Sequence, residues 1–165
     1  MKWWGNAWFG LCLATLLASP SAAQFQTSGG FEQDSSLPVE IASDSLKVDQ
    51  EAGKAVFSGN VTVAQGALRM AAEAVEVTYS DADAGRGIER IEASGGVTLT
   101  NGTEAAEGQT AFYSVSDSKI DMSGNVLLTQ GPNAVAGDKL AIDLETGVAN
   151  MEGRVRTVIL PEATE

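Results

Sequence analysis

An all-β fold, a stack of antiparallel strands repeated about every 29 residues, is predicted by three features of this sequence. Apolar residues alternate with polar ones at a period of two, the signature of strands with one buried face. A four-residue phrase recurs as Ser58-Gly59-Asn60-Val61, Ser94-Gly95-Gly96-Val97, Ser123-Gly124-Asn125-Val126 and, more loosely, Glu152-Gly153-Arg154-Val155. Its glycines stand 36, 29 and 29 residues apart, and a seven-residue insertion near Asp83 to Arg90 accounts for the longer first interval. Regular repeats of this length mean supersecondary units stacked into one elongated body. Turn dipeptides follow the phrase at fixed spacing: Gln65-Gly66, Asn101-Gly102 and Gln130-Gly131.

The first element is a leader. Lys2 precedes an uncharged apolar run from Trp3 to Ala18, and Ser19-Pro20-Ser21-Ala22-Ala23 places small residues before a cut. This is the pattern of a secretory signal peptide over residues 1–23, cleaved before Gln24, and it is short of the roughly 20 apolar residues of a spanning helix. The lone cysteine, Cys12, lies inside that run, so the mature chain carries no thiol and no disulfide. Residues 24–36, with Thr27-Ser28-Gly29-Gly30 and Asp34-Ser35-Ser36, have the composition of a flexible leader. A single β domain over residues 37–161 and a tail at 162–165 complete the division.

Within the domain the phase is kept from unit to unit. Leu46 and Val48 alternate with polar neighbours; Ala55 and Phe57 precede Gly59, and Val61 and Val63 follow it. Inner-face positions read this way are Val48, Phe57, Val61, Val63, Leu68, Met70, Val77, Ile91, Val97, Tyr113, Ile120, Met122, Val126, Leu140, Ile142 and Met151. The mid-strand glycine weakens pairing and lets the strand kink or bulge around a corner. Folding each two-residue hairpin at the turn dipeptide pairs Val63 with Leu68, Val61 with Met70 and Val126 with Val135, and sets Leu99 against Glu104 and Leu128 against Asn133. Polar loops at Asp49–Lys54, Asp81–Arg90, Ser114–Lys119 and Asp143–Gly147 close the other end of each unit. The register by itself favours a filled β core over an open apolar seam; small inward residues (Ala55, Ala93, Ala106, Ala111, Ala149) shift the reading a little toward the seam and fit a tight solenoid as well.

Charge and composition exclude whole classes of function. Without Lys2 the chain carries nine basic against 22 acidic residues, a net charge of −13. Scattered basic residues and a strongly acidic balance argue against nucleic acid and against an anionic membrane surface. The chain contains no histidine, which removes His-based acid–base catalysis, Ser-His triads and His-ligated metals. Asp81, Asp83 and Glu92 echo a calcium loop, but Gly85 and Arg86 occupy positions that need a ligand and a glycine. The expectation is therefore no enzyme, no metal and no cofactor. Asn60-Val61-Thr62 and Asn101-Gly102-Thr103 match a glycosylation pattern already explained by strand and turn. Lys47, Arg69, Lys119 and Lys139 are candidates for a phosphate-facing rim.

Pro38-Val39-Glu40-Ile41-Ala42, Asp44, Leu46, Phe57-Ser58-Gly59-Asn60-Val61, Gln65-Gly66 and Ala72-Glu73-Ala74-Val75 together resemble the LptA/OstA-like family of periplasmic lipopolysaccharide-transport proteins. The resemblance runs from about Leu37 to Pro161. It departs where the family's Ala-Asp opening appears as Ala42-Ser43-Asp44, Ala72-Glu73 and Gly137-Asp138, and in the insertion at Asp81–Arg90. It implies a single-domain open β-jellyroll whose apolar interior receives lipid A acyl chains, with Phe57, Tyr113 and Met122 gripping a chain. It further implies head-to-tail homo-oligomers, joined through edges at Val39–Val48 and Val155–Leu160, between an inner-membrane LptC-like component and an outer-membrane LptD-like component. Two other readings of the same residues are a membrane-anchored LptC-like adaptor and a passive structural β-solenoid that takes no ligand.

Overall fold

A computed structural model of the chain describes residues 30–80 and 87–160. The expected signal peptide at 1–23, residues 24–29, the core of the insertion at 81–86, Pro161 and the tail at 162–165 lie outside the described residues.

Among the described residues one ten-stranded antiparallel sheet accounts for the secondary structure. Two short strands, β1 (Glu40–Ala42) and β2 (Ser45–Asp49), open it and both pair with β3 (Lys54–Gln65). A meander of long strands follows: β4 (Leu68–Tyr79), β5 (Ile88–Asn101), β6 (Glu104–Ser114), β7 (Lys119–Gln130) and β8 (Asn133–Asp143). Two short strands, β9 (Ala149–Glu152) and β10 (Arg156–Val158), both pair with β8 and close it. Every long strand pairs with its sequence neighbours. Ile88, Glu89 and Arg90, expected in a loop, belong to β5 because Ile88 finds Tyr79 and Arg90 finds Thr78 across the ladder.

The recurring phrase makes the corners. The ladder shifts between Ser58 and Val61, between Ser94 and Val97, and between Ser123 and Val126, at the first three copies of the phrase, and the fourth separates β9 from β10. Both central residues of each copy are left-handed: φ is +80° at Gly59 and +45° at Asn60, +87° and +85° at Gly95 and Gly96, +88° and +51° at Gly124 and Asn125, and +75° and +44° at Gly153 and Arg154. Glycine enters that region freely and asparagine more easily than other side chains, which is why the phrase reads Gly-Asn or Gly-Gly. Two left-handed residues in succession bend the strand, so the sheet folds over into two facing halves. The facing is direct: the Tyr113 hydroxyl on β6 donates to Gln65 Oε1 on β3 at 2.7 Å, although those strands are not neighbours.

The hairpin register differs from the expected one by two residues. Val63 pairs with Met70, Val61 with Ala72, Leu99 with Ala106 and Leu128 with Val135. The turn residues are Gly66-Ala67, Gly102-Thr103 and Gly131-Pro132, with the glycine first and at φ of +55°, +64° and +54°. A positive φ at the first turn position is the II′ geometry, whereas the dipeptide signal places glycine second. A shift of two leaves every side chain on its predicted face. It also removes the polar partners assigned to Leu99 and Leu128.

Candidate functional site

The candidate site is the apolar seam between the two half-sheets. One half contributes Val77, Ile91, Tyr113, Ile120 and Ile142; the other contributes Val61, Val63, Met70, Val97 and Val126, all buried in one cluster. Of the sixteen inner-face residues read from sequence, Leu68, Met122 and Leu140 are buried as well, while Phe57 and Met151 are half-buried against the same cluster. Val48 is a correction: it faces inward, opposite Ala55, yet is 56% exposed. It lies on the first edge of the sheet, with Leu46 beside it at 55%, and no following strand covers them. Apolar side chains are exposed at the last edge too, at Val155, Val158, Ile159 and Leu160.

The seam is packed, not hollow. Ala55, Ala93, Ala106 and Ala111, read as signs of an unfilled interior, are all at most 3% exposed, and only Ala149 near the last edge is half-buried. Small side chains here match close approach of the two halves, as interiors pack to near-crystalline density. An open trough of about 830 Å³ lies instead on the opposite face of one half. It is lined by Val56, Glu76, Glu92, Phe112, Asp121 and Lys139. Acidic groups predominate there, and Glu76 is already paired with Lys54 at 2.5 Å.

Polar groups gather where the seam meets solvent. The hairpin tips turn Gln65 and Glu104 inward, 2% and 6% exposed. Gln130 donates to Glu104, and Gln65 accepts from Tyr113. Burial raises the Tyr113 hydroxyl above its ordinary pKa, with the bond to Gln65 opposing the rise. These tips escape a reading of the sequence because they are polar at inward positions. The even spacing of Gln65 from Val63 and of Glu104 from Ala106 is the available signal.

Residues 30–37 run along this mouth and touch both lips. Composition reads residues 24–36 as a flexible leader, and for residues 30–36 the structure corrects that reading. Phe31 is 1% exposed and belongs to the core. On the side of the hairpin tips, Asn101 Nδ2 donates to the carbonyls of Gly30 and Glu32 at 3.1 and 3.2 Å, and Gln65 Nε2 to those of Ser35 and Leu37 at 2.8 and 2.9 Å. On the side of the opposite loops, the Gln33 amide donates to the Leu144 carbonyl at 2.8 Å, and the Ser35 and Ser118 hydroxyls bond at 2.7 Å. A Cβ on Gly30 would meet the Gly147 carbonyl oxygen at 2.7 Å, so only glycine lets the segment enter so closely. Asp34 caps the turn, accepting from the Ser36 amide and hydroxyl, and these bonds lower its pKa.

The polar positions that open the repeats, three of them acidic, have a role at the corners. Asp44, Glu73, Gln109 and Asp138 each lie against the first glycine of the next copy of the phrase: Gly59, Gly95, Gly124 and Gly153. Asn60 Nδ2 donates to Asp44 at 2.7 Å, and Arg154 donates twice to Asp138. The Arg154 bond, ahead of its charge, holds the Asp138 carboxyl below the usual range. Of the rim candidates, Arg69 turns back to the carbonyls of Gly66 and Leu68.

Comparison with known proteins bears on this geometry. The family described as LptA/(LptD N-terminal domain) LPS transport protein matches residues 40–148. An uncharacterized protein of Rhizobium meliloti (strain 1021) is 32% identical over 114 residues, covering 65% of this chain and 61% of its own length. The lipopolysaccharide export system protein LptA of Escherichia coli (strain K12) is 33% identical over 76 residues, covering 46% of this chain and 39% of its own. The chain thus spans less than two thirds of either relative. The crystal structure of LptH, an LptA-homologous periplasmic component of the lipopolysaccharide transport device of Pseudomonas aeruginosa, superposes with a TM-score of 0.69 at 21% identity. That match covers 78% of this chain and 99% of LptH, so the two share a fold.

Proposed function

The chain belongs to the family of LptA and the LptD N-terminal domain, and from that membership we propose that it is a periplasmic lipopolysaccharide carrier. It shelters lipid A acyl chains between its two half-sheets and passes them along a head-to-tail row of copies. The row extends from an inner-membrane LptC-like component to an outer-membrane LptD-like one. The observation that carries the reading is the apolar inner face, which runs through the long strands and comes to the surface at the first edge through Leu46 and Val48. A face that ends in exposed apolar side chains beside unpaired backbone is suited to continuation in another copy. Joining a first edge to a last edge is heterologous and propagates instead of closing.

The packed interior sets the energetic condition for this function. Enclosing one acyl chain of about twelve carbons returns on the order of 9 kcal/mol, at about 0.8 kcal/mol per methylene. Chains enter only as the halves part, so the gain is offset by the cohesion of the seam that has to be broken. The carrier then releases its cargo more readily than a preformed cavity would. A passive solenoid of the same fold would keep its seam shut, and an LptC-like adaptor would keep its N-terminal segment attached.

Site-specific crosslinking tests the carrier reading. With a photoreactive residue at half-buried Phe57 or at outward Thr62, incubation with lipopolysaccharide is expected to give a lipid-bearing band at position 57 and none at 62. A folded protein that crosslinks at neither position would leave only the structural or adaptor role.

A further inference from the structure

We propose that residues 30–37 are a strap that mimics an acylated lipid in the seam and is exchanged for it on loading. The inference rests on the carrier reading and adds how the site is kept closed and which groups receive the cargo.

The strap has the chemistry of what it would replace. Its apolar part, the Phe31 ring, lies in the core among the side chains that line the seam. Its polar part is a row of backbone carbonyls at the mouth, four of which accept from the side-chain amides of Gln65 and Asn101. An acyl chain joined through an ester or amide presents the same arrangement, a hydrocarbon inside and a carbonyl oxygen at its boundary. Leaving those two amides without acceptors at the mouth is costly, so their bonds are handed from strap to lipid.

The strap is also the part of this structure best placed to leave. It makes no ladder with the sheet, and its bonds to the lips run largely through side chains. Segments held this way open at lower free energy than paired strands. Because it bonds to the hairpin tips on one side and to Leu144 and Ser118 on the other, its departure removes the ties that run through it and leaves the Tyr113–Gln65 bond between the halves. Its covalent attachment gives it a high effective concentration, so it recloses the seam once lipid has passed on.

A reversible lock tests the exchange. The Ser35 and Ser118 hydroxyls are 2.7 Å apart, so Ser35→Cys with Ser118→Cys places two thiols to form a disulfide across strap and lip. Binding of a fluorescent twelve-carbon fatty acid and of lipopolysaccharide is then measured on oxidised and reduced protein. Oxidised protein is expected to lose binding of both, and reduction to restore it. Phe31→Ser, which empties the apolar place but keeps the carbonyl row, is expected to bind the fatty acid about tenfold more tightly than wild type, as removal of a self-competitor requires. Equal binding by the locked and reduced forms, or no gain from Phe31→Ser in a folded protein, overturns the strap and leaves the carrier reading standing. Absence of binding by folded wild-type protein as well overturns both.

Discussion

At the scale of single residues, the corner phrase joins a backbone requirement to a side-chain contact. Gly59 is left-handed at φ +80°, and a Cβ built there would come 2.6 Å from Asp44 Oδ2. Gly59→Ala is therefore expected to destabilise the protein by about 1–3 kcal/mol in denaturant unfolding, the range for a side chain forced into a sparsely populated region. A matching loss for Thr62→Ala, on the exposed face of the same strand, would show that the corner is not special. The last corner carries a pH signature. Asp138 has its pKa lowered by the Arg154 hydrogen bond, so in the folded state it stays charged where an unfolded aspartate takes up a proton. Its contribution is present above the unfolded value near 3.9 and is lost as pH falls through the folded one. Asp138→Asn is expected to lower the urea midpoint at pH 7 and to converge with wild type in acid, once pH has fallen through the lowered folded value. A gap that persists in acid would contradict a charge-dependent origin.

At the scale of the strand, the question is what the small inward residues do. Ala111 is 3% exposed, belongs to the buried cluster and pairs with Ala93 on one side and Met122 on the other. Ala111→Leu is expected to cost about 1–3 kcal/mol of stability by calorimetry or denaturant, as overpacking of a filled core does. Neutrality would mean that the halves part at little cost, as a preformed lipid channel would allow. The strands also show how far the sequence can be read. Alternation places Val61, Met70, Ile91, Tyr113 and Ile142 on the inner face, although the pairings it suggests are wrong. Facing depends only on whether a position is odd or even, and the error is two residues. Exposure is not legible in the same way, as Val48 demonstrates. It faces inward by parity and is wet because it is on the edge.

At the scale of the whole molecule, the exposed apolar edges are where copies would meet. Val48 is exposed in the isolated chain, so replacing it alters the folded monomer's stability little, within about 0.5 kcal/mol for a surface position. Val48→Lys is expected to leave the thermal midpoint of dilute protein almost unchanged. By light scattering at high concentration it is expected to abolish the growth of long assemblies, since edge charges oppose strand addition. Unaltered association would exclude the first edge from the contact.

What the sequence determined by itself is the local grammar: an all-β chain, its unit length, the corners, and the face on which each strand residue lies. Those follow from backbone preferences of glycine and asparagine and from a side-chain period of two, both of which act between neighbours in the chain. Only the tertiary structure decided that the polar residues opening each repeat rest on the corner glycines and that polar hairpin tips turn inward. It alone decided that a leader of Gly, Ser and Asp is bonded across the mouth of the seam. Those contacts join Asp44 to Gly59, Gln65 to Tyr113 and Ser35 to Ser118. Each depends on folding the sheet over on itself, which brings together residues that no local pattern relates.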